Sequence, residues 1–145
     1  MFLDASAIVA IVGNEEDADF LISRIENSKN QIYYSSISIY EAVISLARKK
    51  RDAAFGNQVP IPPHLIDLAQ KHIDAFLEAI GAKEMAIGSA MHRKAVEACQ
   101  TYGGVVAHPA RLNFGDCFSY ACAKAYRIPL LFKGDDFSKT DIEAA

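Results

Sequence analysis

Short β-branched or aromatic runs alternate along this chain with longer stretches whose apolar residues recur at helical spacing. Met1–Leu3 is apolar and stops at Asp4-Ala5-Ser6, after which Ala7–Val12 continues apolar up to Gly13-Asn14, a pattern of strand, turn and short helix. Asn14 then precedes Glu15, Glu16 and Asp17, which predicts an N-cap with acids at the positive end of a second helix. Phe20, Leu21 and Ile25 give that helix an apolar face extending toward Asn30. Gln31–Ser35, carrying Ile32, Tyr33 and Tyr34, predicts a strand ahead of a helix over Ser38–Arg51.

Gly56 and Pro60-Ile61-Pro62-Pro63 interrupt the pattern, but Leu65, Ala69, Ile73, Phe76, Leu77 and Ile80 resume it until Gly81. The break therefore joins two helices and is not a domain boundary. Glu84–Ile87 predicts a short strand, and Met91, Ala95, Cys99 and Tyr102 a helix ended by Gly103-Gly104. A polar loop runs to Arg111, Asn113–Tyr126 forms a helix with Asn113 as its N-cap, and Pro129–Phe132 is a last strand entering Lys133-Gly134-Asp135-Asp136. Strands separated by helices imply an α/β fold: a central, mostly parallel sheet with helices on both faces. Such sheets bind ligands at the carboxyl ends of their strands. Asp4, Glu41 and Asp136 fall there on this reading, with Glu41 in the first turn of its helix. Asp116 lies in the first turn of a helix that no evident strand precedes.

The length of 145 residues and 51% hydrophobic content suit one domain spanning 1–145. A net charge of -3 excludes coating of nucleic acid by bulk positive charge, so any such contact is local. Cys99, Cys117 and Cys122 form no C-x-x-C pair, which fits a reducing compartment and a cytoplasmic protein, with Cys117 and Cys122 as packing residues. No stretch approaches the ~18 apolar residues of a membrane span, and the apolar start lacks a basic flank, so neither export nor anchoring is expected.

Carboxylates gathered at one sheet edge repel one another unless a cation neutralises them, and Mg²⁺ or Mn²⁺ suits oxygen ligands. Such ions support phosphodiester displacement without a protein nucleophile. His64, His72, His92 and His108 show no zinc spacing, and no Gly-rich phosphate loop or G-x-S-x-G elbow is present. Plainer roles compete. Ser38-x-x-Glu41 is also a capping-box pattern, Asp116 suits a helix N-terminus, and Asp136 can cap the turn through Thr140. Arg48-Lys49-Lys50-Arg51 fits a solvated helix end as well as RNA phosphates, for which Arg111 and Lys133, beside the acidic segments, are better placed.

Four segments together resemble PIN-domain ribonucleases, and within them VapC toxins of bacterial toxin–antitoxin pairs. They are Met1-Phe2-Leu3-Asp4-Ala5-Ser6-Ala7, Ser38-Ile39-Tyr40-Glu41, Leu112–Ala121 with Asn113-Phe114-Gly115-Asp116, and Pro129–Phe137 followed by Thr140-Asp141-Ile142. The resemblance implies a PIN-like fold and a Mg²⁺- or Mn²⁺-dependent endoribonuclease, often a homodimer, inhibited by a VapB-like antitoxin. It matches Asp4, Glu41 and Asp116 to the first three family acids, as catalytic metal ligands, and Ser6 to the hydroxyl that orients the first. Asp136, directly before Phe137, is the expected fourth acid, with Asp135 as the alternative. The rival readings are a receiver-like signalling module, a phosphatase with a nucleophilic Asp, and an RNA-binding module without turnover. The first would show paired acids after the first strand and the second Asp-x-Asp, where this chain has Asp4-Ala5-Ser6.

Overall fold

A computed structural model describes all of residues 1–145. The chain runs β1 (Phe2–Leu3), α1 (Ala5–Val12), α2 (Ala18–Glu26), β2 (Tyr33–Tyr34), α3 (Ser36–Phe55), α4 (Pro63–Ala79), β3 (Lys83–Glu84), α5 (Met91–Tyr102), α6 (Phe114–Tyr126) and β4 (Leu130–Leu131). The strands form one sheet in the order β3-β2-β1-β4, and each neighbouring pair is parallel. The expected α/β arrangement is therefore present, with strands shorter than expected and β3 falling at Lys83–Glu84 instead of Glu84–Ile87.

Alternation along β1 and β4 divides the core between the two faces of the sheet. Leu3 and Leu131 point into a cluster built with Ile8, Val43, Leu46 and Ile73 from α1, α3 and α4. Phe2 and Leu130 point the other way, into a cluster with Met91, Ala95, Leu112, Cys117 and Cys122. Cys117 and Cys122 are thus buried packing residues, and all three cysteines are free thiols. No helix is long and apolar enough to cross a membrane.

Two helix starts differ from expectation. Asn14 does not cap α2; it adopts a left-handed conformation at φ 52°, tolerable for an Asn, and turns the chain so that α2 begins only at Ala18. The α3 helix starts earlier, with Ser35 as its N-cap in a reciprocal capping box with Ser38. The Ser35 hydroxyl accepts from the Ser38 amide at 3.2 Å, and the Ser38 hydroxyl accepts from the Ser35 amide at 2.9 Å. Ser38 is consequently a capping residue at N3 and not the cap itself. Glu41 moves from the expected first turn into the second, leaving its carboxylate free of any capping role. Asn113 does cap α6, paired with Asp116 at N3.

Candidate active site

The end of β1 delivers Asp4 directly to the carboxyl edge of the sheet. Its backbone amide continues the ladder to the Leu131 carbonyl at 3.0 Å, while its side chain caps α1. Oδ2 accepts from the Ser6 amide at 2.9 Å and from the Ser6 hydroxyl at 2.5 Å. The Ser6 oxygen in turn accepts from the Lys133 amide at 3.0 Å, which ties the segment after β1 to the segment after β4. Asp4 is only 2% exposed, and its Oδ1 is buried with no hydrogen-bond partner. A carboxylate oxygen stripped of water in this way is costly unless a cation or donor meets it.

The other acids reach the same place from different elements. Glu41 projects from the second turn of α3 onto Gly115 at the start of α6, where any β-carbon would collide with its carboxyl group. Burial, then the charges of Asp4 and Asp116, push the Glu41 pKa up to about 7. Asp116 is also raised, to about 6, by burial and by Asp4 and Asp136, against the opposing effect of its bond from the Asn113 amide at 2.8 Å. Asp136 stands before the short turn Phe137–Lys139 and makes no side-chain capping bond, so the plainer role open to it in sequence is not used. Asp116 does serve its helix, because its Oδ2 completes the capping box with Asn113.

Asp4, Glu41, Asp116 and Asp136 line one cleft of about 440 Å³, together with Ser6 and Asn113; Asp135 is not among its walls. No three His, Cys, Asp or Glu side chains close on a point as they stand, so the acids surround a space instead of enclosing an ion directly. Side-chain movement or bridging water would complete such a shell, as Mg²⁺, which retains several waters, commonly requires.

Cations edge the same cleft. Lys133 lines it, with Nζ 2.6 Å from Glu15 and 3.2 Å from Asp17, and Glu15 also pairs with Lys49. Burial raises the Glu15 pKa, but the two lysines outweigh it and hold the carboxyl below the usual range. Arg111 does not reach the cleft: it is exposed, in a left-handed conformation at φ 53°, and turns the chain into Leu112. Of the basic run, Lys49 faces the cleft, whereas Arg51 bonds Asp52 and the Val59 carbonyl. Glu15 and Gly115 were not legible as site residues, since helix patterning explains the first and a turn-like composition the second, whereas Lys49 was open to a phosphate role only as one of four residues in a basic run.

Gly115 offers a direct check on Glu41. A β-carbon there meets only the mobile end of the Glu41 side chain, so Gly115→Ala should fold with little change in thermal midpoint while displacing that carboxylate. Misplacement of a catalytic group by about 1 Å can cost ~10²-fold. Loss on that scale of the nuclease activity that the resemblance implies, with an unchanged melting curve, is the expected result; undiminished activity would mean Glu41 need not sit where it does.

The sequence pattern of the PIN domain family matches residues 1–143. This chain belongs to the PIN-domain family. Among curated proteins it is 38% identical to a VapC ribonuclease of Rhizobium meliloti (strain 1021) over 141 residues, 97% of this chain and 98% of that one. It is 37% identical to Ribonuclease VapC42 of Mycobacterium tuberculosis over 145 residues, 100% of this chain and 98% of the relative. The crystal structure of M. tuberculosis VapC20, described as a sarcin-ricin loop cleaving toxin, superposes with a TM-score of 0.67 over 99% of this chain and 97% of that one. At 14% identity that likeness is one of fold.

Proposed function

We propose that this PIN-domain protein is an endoribonuclease of the VapC toxin type, with Asp4, Glu41, Asp116 and Asp136 holding Mg²⁺ or Mn²⁺ against an RNA phosphodiester. The observation that carries the reading is the buried, unpartnered Oδ1 of Asp4 in a cleft shared with three further carboxylates. Bound there, the ion supplies a lowered pKa for water and charge stabilisation of the entering and leaving oxygens. Ser6 fixes the rotamer of Asp4 by holding Oδ2, which leaves Oδ1 free to meet a cation. The Asn113 amide holds one oxygen of Asp116 and fixes its orientation in the same manner. Lys133 and Lys49 stand at the rim where a phosphate would enter, their charge shared with Glu15 until it does. Arg111 does not line the cleft and is left out of this reading.

The whole of 1–145 acts as a single domain on this reading. RNA is the substrate, a VapB-like antitoxin the inhibitor, and the cytoplasm the setting. A homodimer is favoured by the apolar surface at Val96, Val105 and Val106, which are 52%, 85% and 50% exposed. The decisive experiment incubates total RNA with the protein in Mg²⁺ or in EDTA and maps new 5′ ends, with Asp116→Asn alongside. Discrete ends that require Mg²⁺ and fall by about 10²-fold or more in the variant are expected. An inert wild type, or a variant that cuts equally well, would defeat the proposal.

A further inference from the structure

Beside the acidic cleft lies a second groove of about 390 Å³, within the ~300–1,000 Å³ range of small-molecule sites, and the two share Glu41, Ser45 and Asn113. One wall is a face of α3 in which Ile37, Tyr40, Ile44 and Arg48 recur at helical spacing, and the other is Phe114 with Gly115 at the start of α6. Tyr40 is 72% exposed and Phe114 71%, so neither ring contributes much to the core. Phe114 is nevertheless braced, its ring 5.1 Å from that of Phe118 one turn along.

We propose that this groove seats an unpaired nucleobase next to the scissile phosphate, stacked on Tyr40 and Phe114, with the Arg48 guanidinium near the adjoining phosphate. The inference rests on the ribonuclease reading above and adds a determinant of where the RNA is cut. Three features favour a base over a protein side chain. The groove shares Glu41, Ser45 and Asn113 with the carboxylate cleft, so a strand whose phosphate lies among the acids has a neighbouring nucleotide within its reach. Two exposed aromatic faces suit stacking, which single-stranded RNA offers at every base. Arg48, the one cation in the lining, suits a backbone phosphate.

The test uses Tyr40→Ala, Phe114→Ala, Tyr40→Phe and Phe114→Trp, on oligoribonucleotides spanning the sites that the wild-type protein cuts in total RNA. Copies of each oligonucleotide carry one abasic residue beside the cut. Stacking is worth about 5- to 150-fold per base, so each alanine variant should lose roughly tenfold in kcat/KM, mainly through KM. The aromatic replacements should restore it. One abasic position should cost the wild type the same factor, and cost the alanine variants almost nothing further. Equal kcat/KM in wild type and alanine variants, or an abasic penalty undiminished in those variants, would overturn the inference while leaving the nuclease reading intact. Variants that cut normally but escape a co-expressed antitoxin would assign the groove to a protein partner and likewise overturn it. A wild type that cuts no RNA would remove both.

Discussion

Replacing Asp4 by Asn is expected to reduce RNA cleavage by about 10³-fold or more while leaving the protein folded and no less stable. The expectation combines two separable properties of one side chain. Asp4 caps α1 through Oδ2, and Asn is as good an N-cap as Asp, so the bonds from the Ser6 amide and hydroxyl survive the change. What disappears is the negative charge behind the unpartnered Oδ1. That charge is also one of the causes raising the pKa of both Glu41 and Asp116, so its removal relieves repulsion among buried carboxyls. Thermal midpoint should therefore hold or rise. Activity falls because a neutral amide is a far weaker partner for a hard cation than a carboxylate. Cleavage assays paired with melting curves check both halves. A variant that cuts within tenfold of the wild type would remove Asp4 from the mechanism, and one that melts far lower would make its role structural.

The carboxyl-edge location of Asp4 and Asp136 was legible because strand-to-turn transitions are visible in the apolar pattern itself. Asp4 follows three apolar residues, and the Leu130–Leu131 strand ends just before the turn that carries Asp136. Glu41 was harder, since Ser38-x-x-Glu41 satisfies the capping-box pattern as well as Ser35-x-x-Ser38 does. Only the observed helix start, with Ser35 extended and Ser38 at N3, frees the carboxylate. Asp116 turns out to have both roles open to it, cap and cleft wall, so the plain reading and the chemical one do not compete there. The choice between Asp135 and Asp136 rested on Asp136 directly preceding Phe137, since periodicity does not separate adjacent turn positions. Glu15 bridging Lys49 and Lys133 joins residues 34 and 118 positions apart, a tertiary arrangement with no local signature. Arg111 shows the opposite case: adjacency in sequence to Asn113 and Asp116 suggested the cleft, but the residue is exposed and does not line it.

Mg²⁺ is expected to raise the thermal midpoint strongly at alkaline pH and hardly at all near pH 5, roughly 5–10 °C when the ion is about a hundredfold above its Kd. The sign follows from the two acids that burial and mutual repulsion lift furthest. In the folded protein Glu41 titrates near pH 7 and Asp116 near pH 6, against ordinary values of 4.5 and 3.8. Between about pH 4 and 7 the metal-free folded state therefore holds more protons than the unfolded chain, and stability must fall as pH rises through that window. Glu15 and Asp141, whose pKa values are lowered, act in the opposite sense but only as pH drops toward their own range. Their contribution is complete before the decline from Glu41 is half finished. A cation bound among these acids has to displace the protons first, so its affinity grows through the same window and levels off above it. Glu41→Gln removes the group with the highest of the two values, and should flatten the fall in midpoint between pH 5 and about 7.5 while blunting the response to Mg²⁺. Melting curves at pH 5, 6.5 and about 8, with and without Mg²⁺, decide it. A Mg²⁺ shift that is the same at all three values, or that survives intact in Glu41→Gln, would detach the ion from these carboxyls and place its binding elsewhere on the molecule.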